Sequence, residues 1–209
     1  MSKIPDALRA GILALVLLGG VGGGYVVGER EQAIAAAEAK RNEYIQAVAE
    51  DTSTSTAVKI AMVMGSYYES SYRHIGDPYI DKLGKGQPLT VCNGITGPEV
   101  VLRYYTPTDC YRLEKARYIR SEAAAKRLLR LWDGYGAFTQ ATFIDFLHNK
   151  GEGAFASSTM LRKANAGDLV GACRENPRWN RGTVNGVSVA LPGLMIRADA
   201  NGELCEDGL

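Results

Sequence analysis

The sequence predicts an α+β protein, mainly helical, with a small N-terminal β lobe and one transmembrane helix ahead of it. Three observations carry this. Residues 10–28 (AGILALVLLGGVGGGYVVG) are nineteen in a row without a charge, long enough to span a bilayer as a helix. Beyond them, helical patterns with start signals recur to the C-terminal region. Between positions 77 and 92, turn residues separate apolar pieces too short for helices. Setting the apolar run aside leaves about 150–180 residues, the size of one compact domain.

The expected organisation is a cytoplasmic tip at 1–9, a weak Gly-rich signal anchor at 10–28, a helical linker at 29–56 and a catalytic domain at 57–209. Seven of the nineteen anchor residues are glycine and nine are Leu, Ile or Val. Each of the nine favours insertion by roughly 0.3–0.6 kcal/mol. Glycine adds little apolar surface and weakens a helix. Insertion should be marginal, as a releasable anchor requires. A permanent anchor and a cleaved signal peptide are the rival readings; the only cleavage-like site, Ala33-Ile34-Ala35, lies well beyond the apolar core. Lys3 and Arg9 precede the run while Arg30, Lys40 and Arg41 follow it, so charge does not set the orientation.

Cysteine usage points to the outside of the cell. Cys92, Cys110, Cys173 and Cys205 all follow the apolar run, and an even set favours disulfides in an oxidising compartment. Sequence-near pairing, Cys92–Cys110 and Cys173–Cys205, is the simplest of three. At 46% hydrophobic, 22% charged and net charge +1, the composition is ordinary and gives no argument for a nucleic-acid partner. Seven cations between Arg112 and Arg130 stand against Glu114 and Glu122. They read as a solvated helix face, or as steering toward a polyanionic wall or membrane.

The elements follow in order. Residues 29–50 are rich in Ala, Glu, Lys and Arg without Gly or Pro, a helix. Asp51 to Thr56 supply cap residues for a second helix, apolar on most faces, running to Tyr67-Tyr68-Glu69. Asp77-Pro78 and Gly84–Pro88 are turn signals flanking Tyr79-Ile80 and Leu89–Cys92, a small irregular antiparallel sheet. Thr106-Pro107-Thr108-Asp109 starts a helix expected over 108–132. Helices are expected at 137–149, 158–166 and 168–175, and a hairpin at 183–191 around Asn185-Gly186.

Glu69 is the candidate acid. At the end of an apolar helix beside two aromatics it would be partly desolvated, which disfavours the charged form and suits a proton donor. Asp81 would leave one strand and Thr90 enter the next, both facing Glu69. Two carboxyl groups across a cleft are the equipment of glycoside hydrolysis.

These residues resemble the phage lysozymes (endolysins) of glycoside hydrolase family 24. Glu69, Tyr79-Ile80-Asp81 and Thr90-Val91-Cys92-Asn93-Gly94 match the family's Glu, Asp and Thr elements in order. Asn149–Phe155 and Ser158–Asn165 are similar to its N-x-G-x-G-x-F and S-T-L-L-R-K-x-N block; Gly171-Ala172-Cys173, Pro177-Arg178-Trp179 and Leu191–Leu194 continue it. The resemblance covers about Lys59 to Cys205. The Glu-to-Asp spacing is longer than the family's, so Asp77 stays open beside Asp81. Ile95 stands where many relatives carry His, and Arg197 stands alone where a pair of Arg is usual.

The resemblance implies a two-lobed, lysozyme-like fold and hydrolysis, with inversion, of the β-1,4 bond between N-acetylmuramic acid and N-acetylglucosamine. Glu69 would protonate the leaving oxygen, Asp81 activate water and Thr90 hold it. It implies a signal-anchor-release endolysin: peptidoglycan strands as substrate, the host inner membrane as partner through 10–28, release to the periplasm as a monomer, and host lysis. No cofactor or metal is expected, because a zinc amidase needs more ligands than His74 and His148 provide. A Cys–His peptidase, a lytic transglycosylase and a non-enzymatic wall-binding protein are the competitors. No cysteine precedes Cys92, so control by disulfide exchange from the anchor is closed. The 29–69 connection is expected to hold Glu69 out of register until the anchor leaves.

Overall fold

The computed structural model describes residues 3–5, 8–9, 12, 29–82, 86–184 and 186–209. The expected transmembrane run lies, apart from Ile12, outside them. Among the described residues no helix is long and apolar enough to cross a membrane.

Helix α1 (Glu29–Glu50) is exposed over residues 32–40, but Tyr44, Ile45 and Val48 join the core. Helix α2 (Thr56–Ser70) starts where Ser55 Oγ accepts the Val58 amide at 3.1 Å, relieving one orphan donor of the first turn. Its residues from Ala57 to Ser66, Lys59 excepted, are buried, as its nearly continuous apolar pattern requires. The helix stops at Ser71 and Tyr72, both left-handed (φ 52° and 62°), whose amides bond back to Tyr67 and Ser66. This reversal sends the chain into the small lobe.

Strands β1 (Tyr79–Ile80), β2 (Leu89–Val91) and β3 (Ile95–Thr96) form an antiparallel sheet in that order, with Tyr79 opposite Thr90 and Val91 opposite Ile95. The small lobe has its own core of Val91, Cys92, Ile95, Val100, Tyr105 and Cys110. Ile95 is 1% exposed there. The Cys92–Cys110 disulfide pins the sheet to the start of helix α3 (Pro107–Leu128). A capping box joins Thr106 and Asp109 at that start, so the expected helix origin is found.

Helix α3 ends at Leu128, short of the expected 132. Asn165 imposes the stop from a distance: its Nδ2 donates to the Leu128 carbonyl and its Oδ1 accepts the Arg130 amide. Leu129 turns inward and a 3-10 turn follows at Trp132–Gly134. Nor is α3's cationic stretch one solvated face. Lys115 pairs with Asp51, Arg117 bonds the Thr96 carbonyl and Glu99, and Glu114 is buried.

The larger lobe adds helices α4 (Ala137–Lys150), α5 (Glu152–Ala156), α6 (Thr159–Asn165) and α7 (Leu169–Cys173), then the hairpin β4 (Arg181–Val184) and β5 (Val187–Ala190), then helix α8 (Pro192–Asp207). Ser158 and Asp168 cap α6 and α7. Helix α8 was not among the expected helices. The Cys173–Cys205 disulfide ties it to α7, so both sequence-near pairings are present.

Helix α2 packs on α4 and crosses α3 at Gly65, where a Cβ would stand 1.8 Å from the Tyr118 hydroxyl and 3.0 Å from its ring. Gly65→Ala should lower stability by about 1–3 kcal/mol through overpacking. Thermal unfolding of Gly65→Ala and of Gly65→Ala/Tyr118→Phe checks this. Removing the hydroxyl should restore part of the loss, and no restoration would place the strain elsewhere.

Candidate active site

Glu69 lies in the last turn of α2, its side chain 40% exposed. The expected covering by Tyr67 and Tyr68 is not found. Both rings pack against the large core, and the carboxylate is positioned by a cation instead. Arg197, on α8, donates from Nη1 to Glu69 Oε1 at 2.5 Å. The same guanidinium grips Asp145 of α4 with two bonds, Nε–Oδ2 at 3.0 Å and Nη2–Oδ1 at 2.7 Å. Asn201, one turn along α8, donates to Asp145 Oδ2 at 2.7 Å.

Asp145 is fully buried and the Arg197 side chain 4% exposed. Burial alone would push both toward their neutral forms. The facing charges and hydrogen bonds outweigh it, holding Asp145 below and Arg197 above their usual ranges. A buried, two-bond carboxylate–guanidinium pair has little orientational freedom. Its one remaining arm therefore fixes Glu69 Oε1, while Oε2 has no hydrogen-bond partner among the described residues.

Asp81 follows β1, its amide bonded to the Pro88 carbonyl at 3.0 Å. Thr90, directly across from Tyr79, is 1% exposed and donates its hydroxyl to the same carbonyl at 3.1 Å. Partial burial raises the Tyr79 hydroxyl pKa first, and the charges of Asp81 and Glu69 both add to it, so both carboxylates lie within electrostatic reach of one ring. His74 is held below its usual range first by burial, with the charge of Asp77 among the smaller effects pushing back.

Sequence reasoning missed Asp145, Asn201 and the role of Arg197. It also read Glu114 as a surface anion. Burial pushes the Glu114 carboxyl up to about 6, against the pull of hydrogen bonds from Tyr44 and Asn93. The lone signal was the spacing of Arg197 and Asn201, one turn apart on one helix face.

His148 stacks on Tyr118 with centroids 4.0 Å apart and 14° between planes, and burial depresses it to about 4 from 6.5. As pH falls from 6.5 toward 4, the unfolded chain takes up a proton the native state refuses. Stability is then lost by roughly 3 kcal/mol. Glu114 acts oppositely: its native form binds the proton first, so stability falls as pH rises from 4.5 to about 6. His148→Phe, which keeps the stack, should therefore lose less melting temperature than wild type between pH 7 and 4.5. An unchanged acid sensitivity would remove His148 from that role.

A family model described as phage lysozyme matches residues 75–201. The chain is 30% identical over 179 residues to the SAR-endolysin of Escherichia phage Mu, covering 86% of this chain and 81% of that one. It is 34% identical over 131 residues to the SAR-endolysin of Enterobacteria phage PA-2, covering 61% and 73%. Among solved structures, the active form of P1 phage endolysin Lyz superposes with a TM-score of 0.64 at 17% identity over 88% of this chain and 97% of that one. The endolysin from Escherichia coli O157:H7 phage FAHEc1 gives 0.62 at 20% identity over 70% and 90%. At such identities these two structures speak for the fold alone.

Proposed function

The chain belongs to the phage lysozyme family, and from that premise we propose that it is an endolysin hydrolysing the β-1,4 bond between N-acetylmuramic acid and N-acetylglucosamine in peptidoglycan, with Glu69 as general acid. The observation carrying this reading is the fixed, half-exposed Glu69 carboxyl, held through Arg197 to buried Asp145.

Arg197 occupies Oε1, so the transferable proton sits on Oε2 and passes to the glycosidic oxygen as the bond to the muramic C1 breaks. Asp81 takes a proton from a water, whose oxygen bonds to C1. The Thr90 hydroxyl has given its own proton to Pro88, so it meets that water as an acceptor. Water with one hydrogen on Thr90 and one on Asp81 presents its lone pair to the sugar. This is the inverting course, which needs carboxyl groups about 6.5–9.5 Å apart.

The same reading places the chain first in the host inner membrane through residues 10–28 and then in the periplasm, where it acts as a monomer. Two disulfides support the oxidising side. The N-terminal residues support release. Ile4, Leu8 and Ile12 are buried in the large core. The Lys3 amide and the Arg9 guanidinium bond Glu203, and Lys3 Nζ faces Asp199, both carboxylates on α8. A tip docked on α8 in this way is on the same side of the membrane as the lobes, not in the cytoplasm as expected for residues 1–9 while the anchor spans.

Digestion of purified peptidoglycan by the purified protein tests the reaction. Reducing N-acetylmuramic ends are expected. Anhydro-muramic ends would make the protein a lytic transglycosylase, and binding without new ends would make it a wall-binding protein.

A further inference from the structure

Glu114 lies where α1, α3 and the small lobe meet. It stands on α3, one turn beyond Cys110, and is 1% exposed. Its Oε2 accepts the Tyr44 hydroxyl of α1 at 2.5 Å. Its Oε1 accepts the amide of Asn93 at 3.3 Å and the side-chain Nδ2 at 3.0 Å. Asn93 sits in the turn between β2 and β3, immediately after Cys92. A small cavity beside the carboxyl is lined by Lys40 and Arg41 of α1, by Ser66 in the last turns of α2 and by Tyr72 just beyond it. The charge of Glu69 also reaches Glu114.

The Cys92–Cys110 disulfide and the bonds from Arg117 of α3 to the Thr96 carbonyl and Glu99 fix the small lobe to α3. The bonds from Asn93 to Glu114 add an attachment at the turn between β2 and β3. This attachment depends on α1. A buried carboxyl is tolerated only with donors around it, and Tyr44 provides the donor for Oε2. With α1 undocked, that oxygen loses its partner and the attachment at Asn93 weakens with it.

We propose that Glu114 is a positioning residue that couples the docking of α1 to the setting of the small lobe, and through it to Asp81 and Thr90. Helix α1 directly follows the anchor run, so the coupling makes the water-handling residues sensitive to where that helix lies. The inference rests on the reading of Asp81 and Thr90 given above.

The test uses the full chain, with Tyr44→Phe, Glu114→Gln and the double variant, measured for kcat and KM on purified peptidoglycan well below the unfolding temperature. Tyr111→Phe is the control, because its hydroxyl bonds Asp51 at the same α1–α3 interface without touching Glu114. Tyr44→Phe and Glu114→Gln should each lower kcat by about tenfold or more, since a lobe displaced by an ångström misaligns the reacting groups. KM should stay within about twofold, and the double variant should be no worse than the worse single, as for two ends of one interaction. Tyr111→Phe should lower the melting temperature and leave kcat unchanged.

Hydrogen exchange gives a readout independent of activity: Tyr44→Phe should speed exchange across residues 89–96, and Tyr111→Phe should not. If Glu114→Gln fails to fold, Asn93→Ala, which removes only the Nδ2 bond, takes its place. The proposal is overturned if Tyr44→Phe keeps wild-type kcat and wild-type exchange in 89–96, or if the losses in the double variant multiply. A wild type that releases no reducing ends would instead overturn the hydrolase reading, while the exchange experiment still decides whether α1 and the small lobe are coupled.

Discussion

Glu69→Gln abolishes the release of reducing ends and leaves the protein folded. The amide is isosteric with the carboxyl, and its oxygen can still accept the Arg197 Nη1 hydrogen bond that now holds Oε1. The Arg197–Asp145 pair beneath it is untouched. Since the Glu69 side chain is 40% exposed, losing its charge should cost stability no more than about 1 kcal/mol. Activity should behave differently. Removing a positioned proton donor typically costs about 10²–10⁴ in rate, enough to push a wall-hydrolysis assay to background. Melting temperature and reducing-end release, measured on the same preparation, separate the two effects. Retained activity would remove Glu69 from the mechanism.

The second large effect falls on stability. Arg197→Met leaves Asp145 fully buried without its cation, Asn201 giving its one remaining side-chain hydrogen bond among the described residues. Stranding one member of a buried pair costs about 3–5 kcal/mol, which for a chain of this size lowers the melting temperature by roughly 10 °C. Arg197→Met/Asp145→Asn should recover most of that loss, because the buried charge is gone and the new amide can still bond Asn201. It should not recover activity, because Glu69 still lacks the arm that sets Oε1. A double variant as unstable as the single would mean that Arg197 stabilises the fold by packing alone.

The pair also shows why some of the site was legible in the sequence and some was not. Glu69, Asp81 and Thr90 could be proposed because they match, in order, the family's Glu, Asp and Thr elements; the capped apolar helix and short strands that carry them are locally coded but did not single them out. The origins of α2 and α3 were readable locally, since Ser55, Thr106 and Asp109 act on amides three residues away or nearer. The nearest-neighbour disulfides were readable too.

What orients Glu69 is not local. Arg197 is 128 residues away from it and 52 from Asp145, and neither α8 nor α4 announces that contact. Local reasoning therefore assigned the tuning of Glu69 to its sequence neighbours Tyr67 and Tyr68, which pack on the core. Glu114 fails the same way: in a cation-rich helix it looks like a solvated anion, and only the arrival of Tyr44 and Asn93 shows it buried. The stop of α3 likewise belongs to Asn165 and not to any breaker in the helix itself.

Digestion of peptidoglycan in ¹⁸O-water, followed by mass analysis of the released fragments, tests the central claim most directly. Hydrolysis with Glu69 as acid and a water activated at Asp81 predicts one ¹⁸O at C1 of the new N-acetylmuramic end, with no labelled product from Glu69→Gln. Label on N-acetylglucosamine ends, unlabelled anhydro-muramic ends, or undiminished labelling by Glu69→Gln would contradict it.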